Sequence, residues 1–457
     1  MPHHSTPPSL LRLVLAAVCA VLILPGFSHA DPLPRRIMLG TQIQNASDET
    51  RNRLGIAAAG GVEVLMVVPD SNAAAAKIRK GDVILAVGGK EFVNVAGFLE
   101  VVGTLRGGTD VEIRLNREGK ERTLTATLNS LPLETSDEFD TEYAFVESPA
   151  GRLRTVLTVP RNATNSRAIL LLSGLGNATV EHPVADPIGF RAIATALTRQ
   201  GFAVLRVDKP GCGDSEGGPA RDASFDAIVE GYAAGVRLLK SDKRIDATQI
   251  YLFGVSIGGL QAPLVAQKEP VAGIALFGTA GTNWPEYLQE NSRRQLALSG
   301  IGPGQIEQEV SQISAGWKAL VDEKLTPDEI ADRHPELGEW VEQNWAEGRY
   351  FSGITYKFFW ELCRADILAA WKEFNGPVLA LWGESDFVTS AADHEKLAAS
   401  ANQKQTGRGT FRKIRGVDHN LQAAPTIEDA IRNTQQPGVS AALSVTNEVI
   451  EWLNGLP

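Results

Sequence analysis

The stretch 250–267 constrains this chain more than any other. An apolar run, Ile250-Tyr-Leu-Phe253, leads straight into Gly254-Val-Ser-Ile-Gly258, with a third glycine at Gly259. G-x-S-x-G between a strand and a helix marks a sharp turn that lifts its serine out of the path of the chain. Such a turn holds the serine in a strained backbone conformation. The residues two before and two after it face the neighbouring strand and helix, where only a residue without Cβ fits. Leu260 to Gln267 then carries apolar residues at helical spacing. A chain with this turn must set the run at 250 into a sheet, lay a helix against it and present Ser256 at the sheet's C-terminal edge.

The surrounding pattern agrees. Ala168–Leu172, Ala203–Asp208, Val271–Phe277, Pro377–Trp382 and Gly409–Ile414 read as short apolar strands. Phe190–Gln200, Ala223–Lys240, Ala391–Ala401 and Ala441–Leu453 read as helices, and Glu142–Glu147 with Leu153–Val159 as an opening strand pair. Uniformly apolar strands alternating with helices predict an α/β fold with a mainly parallel sheet covered on both faces. From about 279 to 370 the alternation stops. That stretch is helical and polar and holds Trp284, Trp317, Trp340, Trp345 and Trp360, with Trp371 at its end. It is expected as an insertion forming a lid over the site, its tryptophans mostly packing a small helical subdomain.

Upstream, residues 31–133 form a separate β-rich unit. Ile37–Ile43, Gly61–Val68, Val111–Leu115 and Arg122–Leu128 read as strands, Lys80–Gly89 as a turn, a strand and a tight turn, Ala73–Ile78 and Val93–Leu105 as helices, and Glu118-Gly119 as a turn. Residues 134–140 are acidic and polar and read as a linker. Residues 141–457 carry the α/β pattern. At the N-terminus Arg12 precedes an uncharged run, Leu13 to Leu24, closed by Pro25-Gly26 and a small-x-small site at Ser28-His-Ala30. This is the layout of a signal peptide over residues 1–30, cleaved after Ala30, and the run is too short to span a bilayer. Cys19 is no lipoprotein site, since the apolar run continues past it. The mature chain is expected to be exported, periplasmic or secreted, with no stable membrane span.

A net charge of −10 and the lack of any Lys/Arg run argue against a nucleic-acid partner. Three cysteines make no disulfide scaffold. Only Cys212 and Cys363 remain after cleavage, and spacing does not decide whether they pair. With no C-x-x-C and no H-E-x-x-H, neither a metal site nor a cofactor is expected.

Serine needs a base in hydrogen-bond reach and a third group to orient that base. Once residues 1–30 are removed the histidines are His182, His334, His394 and His419. In a sheet with this turn the partners follow the serine in the order acid, then histidine. His182 comes too early, His334 falls in the insertion, and His394 sits on a helix soon after the acid. His419 follows the last strand on a loop at the edge from which Ser256 projects, and is the expected base. Asp386, on Gly383-Glu-Ser-Asp386 after a strand, is the expected acid, with Glu384 as its competitor. Asp418, adjacent to His419, would point elsewhere. A developing oxyanion needs two N–H donors. One is expected from Ile257 and the other from the loop Ser173-Gly-Leu-Gly-Asn177, at Leu175 with Gly174 close behind.

Two resemblances follow. Ser173 to Gly176, Asp208-Lys-Pro-Gly-Cys-Gly-Asp-Ser215, Gly254 to Gly258, Gly383 to Asp386 and Asp418-His419, in that order, resemble the α/β-hydrolase superfamily over about 142–456. Ser173 stands where a histidine is frequent, and Lys209-Pro210 where an arginine is common. Leu39-Gly40, Val67 to Ser71, Ala73 to Ala76 and Gly81 to Leu85 resemble a bacterial PDZ domain of the high-temperature-requirement protease type. That resemblance implies that backbone N–H groups of Met38, Leu39, Gly40 and Thr41 receive a peptide's C-terminal carboxylate. The peptide would add a strand along the edge, against the helix at 93–105.

The reaction these features imply is hydrolysis of a carboxylic ester through an acyl-enzyme, with a small-molecule ester or a peptide as substrate and a peptide ligand on the PDZ-like unit. A serine aminopeptidase or acyl-peptide hydrolase is the rival, acyl transfer a third option, and an exported PDZ scaffold with an inactive hydrolase domain the alternative from another class.

Overall fold

The computed structural model describes residues 33–56, 60–184, 186, 189–436 and 438–456. The expected signal peptide lies outside them. Among the described residues no helix is long and apolar enough to cross a membrane.

The N-terminal unit is a six-stranded sheet with three short helices: β1 (Thr41–Asn45), α1 (Asp48–Leu54), β2 (Val62–Val67), α2 (Asn72–Ala75), β3 (Val83–Val87), β4 (Lys90–Glu91), α3 (Val95–Gly103), β5 (Asp110–Arg117) and β6 (Lys120–Thr127). The order is β1-β2-β3-β5-β6, with β4 on β3, and every pairing is antiparallel. The first strand begins at Thr41, later than the 37–43 run suggests, because Gly40 turns the chain at φ 80° and Ile37 makes only an isolated bridge to Ser130. Helix α1 has no apolar stripe to announce it. It is held by local caps: Ser47 accepts the Thr50 N–H, and Gly55 closes the end at φ 65°.

The second sheet has eight strands among the described residues. They are β7 (Phe139–Ser148), β8 (Gly151–Pro160), β9 (Ser166–Leu172), β10 (Ala203–Val207), β11 (Ile245–Val255), β12 (Gly273–Phe277), β15 (Val378–Gly383) and β16 (Gly409–Ile414). Between β12 and β15 lies a two-stranded ribbon, β13 (Tyr350–Phe351) and β14 (Ile354–Thr355). The large sheet runs β16-β15-β12-β11-β9-β10-β8-β7, with all pairs parallel from β16 to β10. Its strands are apolar on both faces because both faces are covered. Ala168, Leu170 and Leu172 of β9 pack on one side with Phe225, Val229 and Tyr232 of helix α5 (Phe225–Ser241). Ile169 and Leu171 pack on the other with residues of α4 (Phe190–Arg199) and α15 (Ala442–Asn454). Helix α6 (Ile257–Lys268) lies on the α5 side, while α13 (Ala391–Lys404) and α14 (Ile427–Asn433) flank the last strands.

The stretch between β12 and β15 forms six helices: α7 (Trp284–Leu298), α8 (Pro303–Val321), α9 (Pro327–Arg333), α10 (Gly338–Asn344), α11 (Tyr356–Arg364) and α12 (Ile367–Glu373). Trp317, Trp340, Trp345 and Trp371 are buried. Trp317 meets Trp345 at 6.0 Å and Phe359 at 5.4 Å between ring centroids. Trp317, Trp340 and Trp345 build the core of the insertion, each burying on the order of 150–250 Å², while Trp371 lies on α12, which packs against α6 and α13.

Residues 134–140 are not the loose linker that their acidity suggests. Phe139 and Asp140 already belong to β7. Glu134 is buried on Arg206, at 2.7 Å and 3.0 Å from its two terminal nitrogens, and Arg206 has no exposed surface. Arg206 takes the position on β10 where an apolar residue would otherwise pack. Its charge is tolerated there because a carboxylate meets it bidentately. Beside this pair Arg35 donates to Glu181 at 2.7 Å and to Asp214 at 2.6 Å, the Arg36 N–H donates to Asp214 at 2.8 Å, and Tyr143 donates to Glu181 at 2.9 Å. The β-rich unit is thus joined to the second sheet through buried charges. Cys212 and Cys363 are both free thiols.

Candidate active site

Ser256 ends β11 and precedes the first residue of α6, with φ 54° and ψ −121°. A non-glycine residue in this region is strained. The surrounding contacts enforce the turn. A Cβ at Gly258 would stand 2.3 Å from the Leu172 carbonyl oxygen, and one at Gly254 would meet the Gly258 backbone at 2.6 Å. The Ser256 N–H donates to the Phe277 carbonyl at 2.8 Å, and its own carbonyl accepts the Thr279 hydroxyl at 3.0 Å. Strand order reverses at β9/β11, since β10 continues from β9 on one side and β11 on the other. The crevice beyond the strand ends at such a point is where α/β sheets hold ligands.

Nε2 of His419 lies 3.1 Å from the Ser256 Oγ, and its Nδ1 lies 2.9 Å from Asp386 Oδ2. Asp386 is buried and further fixed by the N–H groups of Val388 and Thr389, at 2.8 and 2.9 Å, and by the Thr389 hydroxyl at 2.6 Å. Burial pushes the Asp386 carboxyl up, but the His419 ring and the Thr389 bonds outweigh it and hold the group below the usual carboxylate range. Burial likewise opposes the imidazolium form of His419, yet the Asp386 carboxylate prevails and raises its pKa above 6.5. With the carboxylate on Nδ1, the proton sits there, and Nε2 faces the hydroxyl as an acceptor. Gly278, at φ 63°, leaves the ring its place, since a Cβ there would lie 3.1 Å from Nδ1.

The other expected candidates separate cleanly. Glu384 is exposed, and its N–H donates to the Ile414 carbonyl. Asp418 shapes the histidine loop instead, accepting the N–H groups of Asn420 and Gln422 at 2.9 Å. His182 is buried near Glu134, and His334 pairs with Glu323 on the surface. His394 is fully buried and supports Thr279.

Ile257 opens α6, where the first N–H groups have no partner within the helix and the dipole favours negative charge. The loop 173–177 lies against the serine: a Cβ at Gly174 would stand 3.4 Å from that of Ser256. Beside Leu175 and Ile257 is a recess with room for about one water, also bounded by Lys209, Gln261, Ile354 and Phe358. The Gln261 amide there is fully buried and has no hydrogen-bond partner among the described residues. Lys209, singled out in the sequence only as a departure from pattern, reaches this loop.

In the β-rich unit, the Met38 carbonyl accepts Asn72 Nδ2 at 3.0 Å, that of Leu39 the Ala73 N–H at 2.8 Å, and that of Gly40 the Val68 N–H at 2.9 Å. In a planar trans peptide C=O and the following N–H point in opposite directions. The N–H groups of Leu39, Gly40 and Thr41 therefore face away from those partners, beside the free edge of β1. Met38 itself is exposed.

The profile of the family described as serine aminopeptidase, S33, matches residues 188–422, more than half of the chain, and that of the PDZ domain matches residues 38–128. Esterase EstD of Thermotoga maritima is 22% identical over 296 residues, 64% of this chain and 64% of that protein. A probable periplasmic serine endoprotease, DegP-like, of Pseudomonas savastanoi is 28% identical over 164 residues, 35% of this chain and 34% of that protein. The chain thus spans less than two thirds of either relative. Among solved structures, an esterase of Pyrococcus furiosus aligns with TM-score 0.43 and 13% identity over 71% of this chain and 96% of that one.

Proposed function

The chain belongs to the serine aminopeptidase S33 family of α/β-hydrolases and carries a PDZ domain, and we propose that it is a serine hydrolase that cleaves short-chain carboxylic esters. The observation that carries this reading is the relay Asp386–His419–Ser256, at 2.9 and 3.1 Å. Ser256 Oγ attacks the carbonyl carbon while His419 Nε2 takes its proton. The N–H groups of Ile257 and Leu175 hold the oxyanion, and His419 returns the proton to the leaving alkoxide. Water, deprotonated by His419, then attacks the acyl-enzyme and frees the acid and Ser256.

The recess beside Leu175 and Ile257 has room for about one water, so a short acyl group enters with the least movement of Ile354 and Phe358. The helical insertion acts as the lid, and residues 31–133, 134–140 and 141–457 serve as the PDZ unit, its connection and the hydrolase. Met38 to Thr41 receive a peptide carboxylate. An exported, periplasmic or secreted enzyme fits the expected signal peptide and the description of the DegP-like relatives as periplasmic. The PDZ unit and the family's aminopeptidase description favour a second reading, release of N-terminal amino acids from peptides.

Labelling of the full chain with a fluorophosphonate, followed by peptide mapping, tests the mechanism. The label should fall on Ser256 and vanish in S256A. A folded wild-type protein that takes no label would leave only the scaffold reading. A panel of p-nitrophenyl esters beside aminoacyl p-nitroanilides separates esterase from aminopeptidase.

A further inference from the structure

Lys209 stands two residues past the end of β10 and is 6% exposed. Its Nζ donates to the Gly174 carbonyl oxygen and, at 3.2 Å, to that of Gly176. These two carbonyls flank Leu175. Among the described residues no carboxylate lies within ion-pair distance of the ammonium. Asp208 beside it is engaged by the Thr179 hydroxyl at 2.9 Å and the Val180 N–H at 2.7 Å. Burying an ammonium against neutral carbonyls alone is costly, and an apolar side chain of equal length would fill the same volume without that cost. Burial pushes its pKa down to about 8.

What the cation does for this loop follows from peptide geometry. Fixing the Gly174 carbonyl toward Lys209 turns the Leu175 N–H to the opposite side of the same rigid plane. Gly174 is the residue packed against Ser256. A glycine on either side of Leu175 leaves the loop otherwise free to rotate, and Gly176 already sits at φ 119°. A hydrogen bond from a cation to the carbonyl of a peptide also polarises that peptide and strengthens its N–H as a donor.

We propose that Lys209 is a positioning residue: by holding the Gly174 and Gly176 carbonyls it aims the Leu175 N–H at the oxyanion that forms on the substrate attacked by Ser256. This inference rests on the serine-hydrolase reading above. It assigns Lys209 to stabilisation of the tetrahedral state rather than to substrate binding.

The full-length K209M and K209R variants test it with p-nitrophenyl acetate as substrate and phenylboronic acid as the tetrahedral probe. K209M should lose roughly 10- to 100-fold in kcat with KM within about twofold, below the full effect of deleting an oxyanion donor because the N–H remains. Its affinity for phenylboronic acid should fall by the same factor, and K209R, which keeps donors and charge, should recover part of both. A K209M protein that folds and matches wild type in kcat and boronate affinity overturns the proposal, as does a loss confined to KM or melting temperature.

Should K209M fail to fold, the kcat/KM profile of K209R decides. Wild type should show an alkaline decline near pH 8 as the ammonium loses its proton, and K209R should not. An unchanged decline in K209R overturns the proposal. The titratable groups around Lys209 ionise elsewhere, with Asp208 raised to about 6 and Cys212 and Tyr232 to about 12. A wild-type protein that neither turns over the ester nor takes a fluorophosphonate fails the serine-hydrolase reading instead, which is a distinct outcome.

Discussion

The His394 ring accepts the backbone N–H of Thr279 at 3.0 Å. Nε2 must therefore be unprotonated, and Nδ1 carries the proton and donates to the Ser390 carbonyl at 2.7 Å. Thr279 in turn donates its hydroxyl to the Ser256 carbonyl. A fully buried neutral histidine thus braces the turn that presents the serine. Burial lowers its pKa below 6.5, against the opposing pull of the Ser390 carbonyl, Asp386 and Asp393. The unfolded chain takes up this proton as pH falls through 6.5, while the folded chain does so only at its lower value. The stabilisation is therefore complete above 6.5 and is lost as pH falls between the two, at up to ~1.4 kcal/mol per pH unit. Urea midpoints measured from pH 8 to pH 5 should fall more steeply for wild type than for H394Q. Equal slopes refute this role, and the opposite contribution of His419 is common to both proteins.

Asp386 makes a separate prediction about rate. The base must be neutral to take the serine proton, so kcat/KM should decline as pH drops through the raised pKa of His419. D386N removes the charge that raises it, so the acid limb should move to lower pH. The residual rate should fall by about 10³- to 10⁴-fold through loss of the ring's orientation. A limb that stays in place means that another group sets it.

Acyl-chain length should be read most directly at Phe358. With room for about one water in the recess, acetyl and propionyl esters should exceed hexanoyl esters in kcat/KM by at least about tenfold, a single misfitting methylene being worth about 1–3 kcal/mol. F358A opens the recess and should reverse the order. If wild type prefers the longer esters, the acyl group lies elsewhere.

The outward N–H groups of Leu39, Gly40 and Thr41 predict that a peptide ending in a free carboxylate binds the full chain and that the same peptide with an amidated end binds at least about tenfold more weakly. Fluorescence anisotropy with a labelled apolar-ended peptide measures both. Equal affinity would mean that the loop is not the carboxylate cradle.

The site was readable largely because its parts are local. The turn around Ser256 needs glycine at fixed positions, and the acid and base each follow a short apolar strand, so chain order narrows the choice to His419 and to the loop that holds Glu384 and Asp386. Helix α1 was not readable because it is held by Ser47 and Gly55 and not by an apolar stripe. Lys209 stood out only as a departure from a pattern, since its partners are 35 and 33 residues away and are carbonyls, which any sequence supplies. Glu134 misled for a related reason. An acidic residue among polar ones reads as solvated, and its partner Arg206 hides inside an apolar strand 72 residues away.

That same ion pair, with Arg35 on Glu181 and Asp214, means that the seam visible in composition is not a place to cut. A fragment begun at residue 141 would take the Glu134 carboxylate from Arg206 and the Arg35 guanidinium from Glu181, each at a cost of about 3–5 kcal/mol, and would leave Asp214 with Arg154 alone at 3.3 Å. Such a fragment should come out of the cell insoluble, and the two halves of this protein have to be inherited, expressed and engineered together.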